Sequence, residues 1–93
     1  MAISMFLEQS SFQDALSDSV RWVPNDLEDG LLAWVDPYGK TVFNSRQRET
    51  LLTEALDKLK STDGERREAL LALIKLCQEG RERPTRLLWF YGD

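Results

Sequence analysis

Apolar positions change their spacing several times along this chain, and each change predicts an element. From Phe12 onward, Ala15, Leu16, Val20 and Val23 fall at helical intervals. Ser10 or Ser11 can cap the start and Pro24 ends the pattern, which predicts a helix over about Ser11 to Arg21. The stretch before it, Met1 to Glu8, has no decisive period and stays ambiguous. After it, "PNDLEDG" reads as a solvated turn. Next come "LLAWV", "DPYGK" and "TVFN", two β-favouring runs flanking a turn with Pro37 and Gly39, which predicts a hairpin. Both faces of its first strand are apolar, with Leu31, Ala33 and Val35 on one and Leu32 and Trp34 on the other.

Asn44 and Gln47 have capping-box spacing at the head of a helix over about Ser45 to Lys60. Its stripe is Leu52, Ala55, Leu56 and Leu59, and Glu54 and Lys58 make an outward i,i+4 pair. Thr62 and Glu65 repeat the box for a following helix that stops at Gly80. In "EALLALIKLCQEG" apolar side chains surround most of the circumference, so that helix sits between two layers or offers a face to a partner. "RERPTR" connects it to "LLWFY", a closing strand.

The order helix, hairpin, helix, helix, strand predicts an α+β fold, a small antiparallel sheet of hairpin plus C-terminal strand packed against two or three helices. With 93 residues the chain is one domain. Alternation in the last strand sends either Leu88 and Phe90 or Leu87, Trp89 and Tyr91 to the core, and the other set to the opposite face.

Composition narrows the chemistry. Hydrophobic residues at 42% with charged residues at 30% are globular proportions, and 16 acidic against 12 basic side chains leave no field that draws the chain to nucleic acid or anionic lipid. There is no histidine, which removes the commonest general base and the Ser-His-Asp and Cys-His arrangements. Cys77, the single cysteine, cannot close an internal disulfide or build a zinc site, and its place on an apolar helix reads as core packing. The acids Asp26, Glu28 and Asp29 share a loop with Gly30, but "NDLEDG" puts Leu27 where an EF-hand ligand belongs. No metal, cofactor or catalytic set is expected.

The arginines gather as Arg46 with Arg48, Arg66 with Arg67, and Arg81 with Arg83 and Arg86, each interleaved with glutamates. They read as a salt-bridged surface, with a nucleic-acid-linked regulator acting through Arg81, Arg83 and Arg86 as the alternative. The N-terminus lacks a secretory pattern and no apolar run reaches the ~18 residues of a membrane span. A cytoplasmic protein is expected.

The aromatics are the most informative set. Trp22, Trp34, Tyr38, Phe43, Trp89, Phe90 and Tyr91 exceed what a three-stranded sheet with helices on one face can hide. The predicted partner-binding residues are Trp34, Tyr38, Arg86, Trp89 and Tyr91, in a protein-interaction module that takes a peptide segment through an aromatic sheet face and apolar helix. Strand addition beside "LLWFY" is one mechanism, and association with a second copy a rival. The arrangement of "LLAWVDPYGKTVFNSRQRETLL", "EALLALIKLCQ" and "RLLWFY" resembles small accessory proteins of cyanobacteria and chloroplasts, the chlororespiratory reduction family that assists assembly of the photosynthetic NDH complex. The resemblance spans about residues 31 to 91 and lies in arrangement rather than motif, so it carries over no functional residue. It implies a noncatalytic assembly or adaptor protein of a larger complex, a class that equally includes carboxysome and Rubisco accessories.

Overall fold

The strand formed by "LWFYG" organises the molecule, because it alternates buried and half-buried residues and is hydrogen-bonded on both sides. The computed structural model of the chain describes residues 3–23 and 29–92. Its elements are β1 (Ile3–Leu7), α1 (Phe12–Ser17), β2 (Val20–Trp22), a 3-10 helix (Gly30–Trp34), β3 (Lys40–Phe43), α2 (Ser45–Leu59), α3 (Gly64–Arg81) and β4 (Leu88–Gly92). The strands form one antiparallel sheet in the order β2-β1-β4-β3, so β1 and β4 are central and β2 and β3 are its edges. This is the expected α+β fold, with four strands where the sequence pattern predicts three.

The ambiguous first segment is therefore a core strand. β1 aligns Met5 with Phe90 and Leu7 with Leu88, and its inward residues Ile3, Met5 and Leu7 are all buried. Its presence explains why the first helix is shorter than expected. Asp18 caps α1, and Val20, Arg21 and Trp22 leave helical geometry to pair with β1. Strand pairing wins there because Trp22, 1% exposed, meets Phe90 edge-on at 5.6 Å. The predicted stop at Pro24 lies outside the described residues.

The expected hairpin does not form. Leu31 to Val35 lie in and just after the 3-10 helix, and β3 pairs with β4 from the far end of the chain, aligning Val42 with Trp89 and Phe43 with Leu88. A long-range contact overrides the β propensity of "LLAWV". The Glu54 carboxylate, on α2, accepts from the Leu31 N–H at 3.0 Å and satisfies the start of the 3-10 helix. Gly30 opens it at φ +64, a conformation that favours glycine, and a Cβ there would displace the Glu54 carboxylate from its cap. Glu54 is thus no surface partner for Lys58, which instead pairs with Asp29 at 2.5 Å.

The helix α2 follows its sequence signals closely. Asn44 Oδ1 accepts from the Gln47 N–H, and Gln47 Oε1 from the Asn44 N–H, both at 2.9 Å. Its buried face is Arg48, Leu51, Leu52 and Ala55, while Leu56, expected in the stripe, is exposed. The second capping box is absent. Thr62 donates its hydroxyl to the Lys58 carbonyl at the end of α2, leaving Asp63 as the N-cap of α3.

Both long helices lie against one face of the sheet, and Leu70, Leu73, Cys77, Leu88 and Phe90 meet there fully buried. Arg48 is buried with them at 1% exposure, unlike the surface arginine the sequence pattern suggests. Its guanidinium donates to the Gly80 carbonyl at 3.2 Å and to the Arg86 carbonyl. It thereby caps the C-terminus of α3, the negative end of the helix dipole, and fixes the connector entering β4. Gly80 permits the approach, since a Cβ there would come 2.9 Å from the guanidinium carbon.

Candidate functional site

The two most exposed aromatics stand on backbone that is tightly held. Trp34 ends the 3-10 helix at 75% exposure, and Tyr38 stands in the following turn at 73%. Upstream, Leu32 is buried at 3% and anchors the helix to the core, together with the Glu54 cap. Downstream, Asp36 Oδ1 accepts from the Tyr38 N–H at 2.9 Å, an Asx turn, and the Asp36 N–H donates to Thr41 Oγ1 at 2.8 Å. The Gly92 N–H reaches the Gly39 carbonyl at 2.8 Å and ties the turn to β4. Among the described residues, no aromatic ring contacts either Trp34 or Tyr38. Each is a large apolar side chain presented to solvent by a fixed scaffold.

Trp89 and Tyr91 are arranged differently. Their alternation with Leu88 and Phe90 puts them on the sheet face away from α2 and α3, in register with Val42 and Lys40 of β3 and with Phe6 and Ser4 of β1. On that face Trp89 stacks on Phe6 at 6.0 Å, and Phe12 of α1 lies edge-on to Phe6, Trp89 and Tyr91 at 5.8, 6.3 and 5.8 Å. The Lys40 ammonium sits 5.9 Å from the Trp89 ring and 6.0 Å from Tyr91. Trp89 and Tyr91 are consequently half-buried rather than open. A recess of about 250 Å³ remains between Phe6, Phe12, Ala15 and Trp89, with Glu8 and Gln9 at its rim.

The predicted site residues do not form one patch. Trp89 and Tyr91 belong to the aromatic cluster. Trp34 is on the 3-10 helix instead of a strand beside them, and Tyr38 lies at the Gly92 end of β4. Arg86 precedes the other end, where it lines a polar recess of about 300 Å³ with Glu79, Glu82 and Arg83. Strand addition beside "LLWFY" is ruled out by pairing, because β4 already has β1 on one side and β3 on the other. No family model, curated protein or solved structure matches the chain.

Several charged groups are engaged in structural contacts. Arg81 grips the Glu49 carboxylate with bonds of 2.9 and 2.8 Å, which lowers the Glu49 pKa and raises that of Arg81. Asp29 is likewise held below the usual carboxylate range by its hydrogen bond to Lys58. Its loop neighbours Asp26 and Glu28 lie outside the described residues. The Arg66 guanidinium lies 5.3 Å from the Trp22 ring and donates to the Val23 carbonyl at 2.5 Å. Burial pushes the Cys77 thiol up to about 12, so it is protonated and unreactive at neutral pH. Among the described residues, no group of three or more histidine, cysteine or acidic side chains is placed to hold a metal, and no helix is long and apolar enough to cross a membrane.

The sequence pattern missed Phe6, Phe12 and Lys40, which cover the outer sheet face. Their signal was an apolar run, "MFL", followed by Phe12 at the head of a short helix, but without the β1 assignment nothing placed them opposite Trp89.

Proposed function

We propose that the chain is a noncatalytic protein-interaction module, an adaptor or assembly factor of a larger complex in the cytoplasm, which binds a protein or peptide segment. The observation that carries this reading is the exposure of Trp34 and Tyr38 on rigid backbone. Tryptophan and tyrosine dominate binding hot spots because each buries a large area at little conformational cost. Neither ring contributes much to this chain's own core, so a role outside it accounts for their bulk. The Asx turn and the Glu54 cap reduce the entropy lost on binding. Trp89 and Tyr91 lie in a separate, half-buried cluster and offer a partner only part of their surface.

The alternative, a regulator contacting nucleic acid through Arg81, Arg83 and Arg86, has weaker support. Arg81 is occupied by Glu49, and Glu79 and Glu82 stand beside the other two. Tagged wild-type chain and a Trp34→Ala/Tyr38→Ala variant, passed through native lysate, test the proposal. A specific partner held by the first and lost by the second, at equal unfolding midpoint, is the expected result. Recovery of the same proteins by both would overturn it, and a mobility shift steeply weakened by salt would favour the alternative.

A further inference from the structure

The edge strand β3 has a hydrogen-bonding side that faces away from the sheet. In an antiparallel ladder the bonded and non-bonded pairs alternate. The Gly92 N–H to Gly39 carbonyl bond fixes the phase, so Thr41 and Phe43 bond to β4 while the N–H and C=O groups of Lys40 and Val42 point outward. Among the described residues no hydrogen bond reaches these groups. The exposed aromatics are close to this edge in the chain: Tyr38 precedes Lys40 by two residues, and Trp34 stands two residues before Asp36, whose N–H donates to the Thr41 side-chain hydroxyl.

We propose that the occupant of this edge is a second copy of the chain, with β3 pairing antiparallel to β3 of its partner about a two-fold axis at Thr41. This rests on the reading of Trp34 and Tyr38 as association residues and names what they associate with. Charge and outward hydrogen-bonding groups together favour one register. Centring on Thr41 places Lys40 opposite the second copy's Val42 and Val42 opposite its Lys40, which satisfies the outward groups of all these residues. Centring on Lys40 would oppose two like charges directly. Lysine in an edge strand ordinarily discourages pairing. Here its side chain already lies over Trp89 and Tyr91, and in this register it meets a valine.

The side chains are consistent with the same axis. Lys40 and Val42 share the outer face with Tyr91 and Trp89, so pairing continues the row Phe6, Trp89, Val42 into Lys40 and Tyr91 of the second copy. Val42, 39% exposed, gains the lysine stem as cover. The area is adequate for a specific contact. Exposed tryptophan and tyrosine each offer on the order of 150 Å², so the rings of two copies bring roughly half of the ~1,200 Å² a stable interface needs, and the paired strands with Val42 and Lys40 bring the rest. An isologous interface closes on itself and leaves no β3 edge free to extend.

Sedimentation equilibrium of the full chain from micromolar to millimolar concentration tests the proposal through the charge at position 42. The wild type is expected to pass from monomer to dimer. Val42→Lys, which puts like charges opposite each other twice, should weaken the dimer about tenfold, and Val42→Glu should tighten it several-fold. Circular dichroism of both variants checks folding at this exposed position. A strict monomer throughout, or a dimer whose affinity ignores both charges, would overturn the proposed edge pairing. Either result leaves the broader reading standing if lysate capture still depends on Trp34 and Tyr38, with a different protein as the occupant. Loss of that dependence while the charge effect persists would instead remove the aromatic role and keep the edge.

Discussion

The two faces of the sheet carry similar side chains and do different things with them. On the inner face Leu88 and Phe90 are completely buried, and Phe90 is met edge-on by Trp22 and Phe43 at 5.6 and 5.8 Å. One residue along the same strand, Trp89 and Tyr91 face outward and stay half-buried. The cause is the length of what covers them. The inner face lies under α2 and α3, of 15 and 18 residues, whereas among the described residues the outer face is covered only by the six residues of α1 and the side chain of Lys40. A continuous apolar strand therefore does not reveal how well each face is covered. Cover is decided by segments distant in sequence, and an incompletely covered face keeps some surface for a partner.

Alanine substitutions should break this comparison in order. Phe90→Ala, measured by urea unfolding, should cost about 3–5 kcal/mol, because the cavity is enclosed by two helices and cannot collapse. Arg48→Ala should cost about 2–4 kcal/mol, since a buried side chain is lost, the Arg86 carbonyl loses its guanidinium donor and the Gly80 carbonyl keeps only the Arg83 N–H. Equal stability of that variant would mean that the buried guanidinium is dispensable as a cap. Trp89→Ala should cost about 2 kcal/mol, less than Phe90→Ala because the outer face can rearrange around Phe12. A loss as large as that of Phe90→Ala would show the outer face to be a second core, which would leave little of it for binding.

The smallest effect is electrostatic. The Glu49 carboxylate has a lowered pKa in the folded chain, so its pairing with Arg81 stabilises the fold above the unfolded carboxylate pKa and is lost as pH falls through the folded value. Both groups are exposed, so the contribution is modest and screened by salt. The stability gap between wild type and Glu49→Gln should be constant at neutral pH and shrink as the pH falls through and below the ordinary glutamate range. A gap that persisted in acid would assign the effect to packing rather than charge.

How much could be read in the sequence follows from how local each determinant is. The cap of α2 lies within four residues, Asn44 to Gln47, and the alternation of "LLWFY" is intrinsic to the strand, so both were legible. The 3-10 helix depends on Glu54, 23 residues beyond Leu31, and β1 on pairing with the opposite end of the chain. Neither is fixed by its own few residues. The same distinction divides the site. The two-faced placement of Trp89 and Tyr91 was readable, but the position of Trp34 off the sheet was not. The burial of Arg48 required knowing that the end of α3 and the connector into β4 meet beside α2.

Whether Trp34 serves association rather than folding is decided by Trp34→Ala, with capture of the partner measured at a matched folded fraction. The expected result is an unfolding free energy within about 0.5 kcal/mol of wild type together with loss of the specific partner. Retention of that partner at full yield by the folded variant would contradict it.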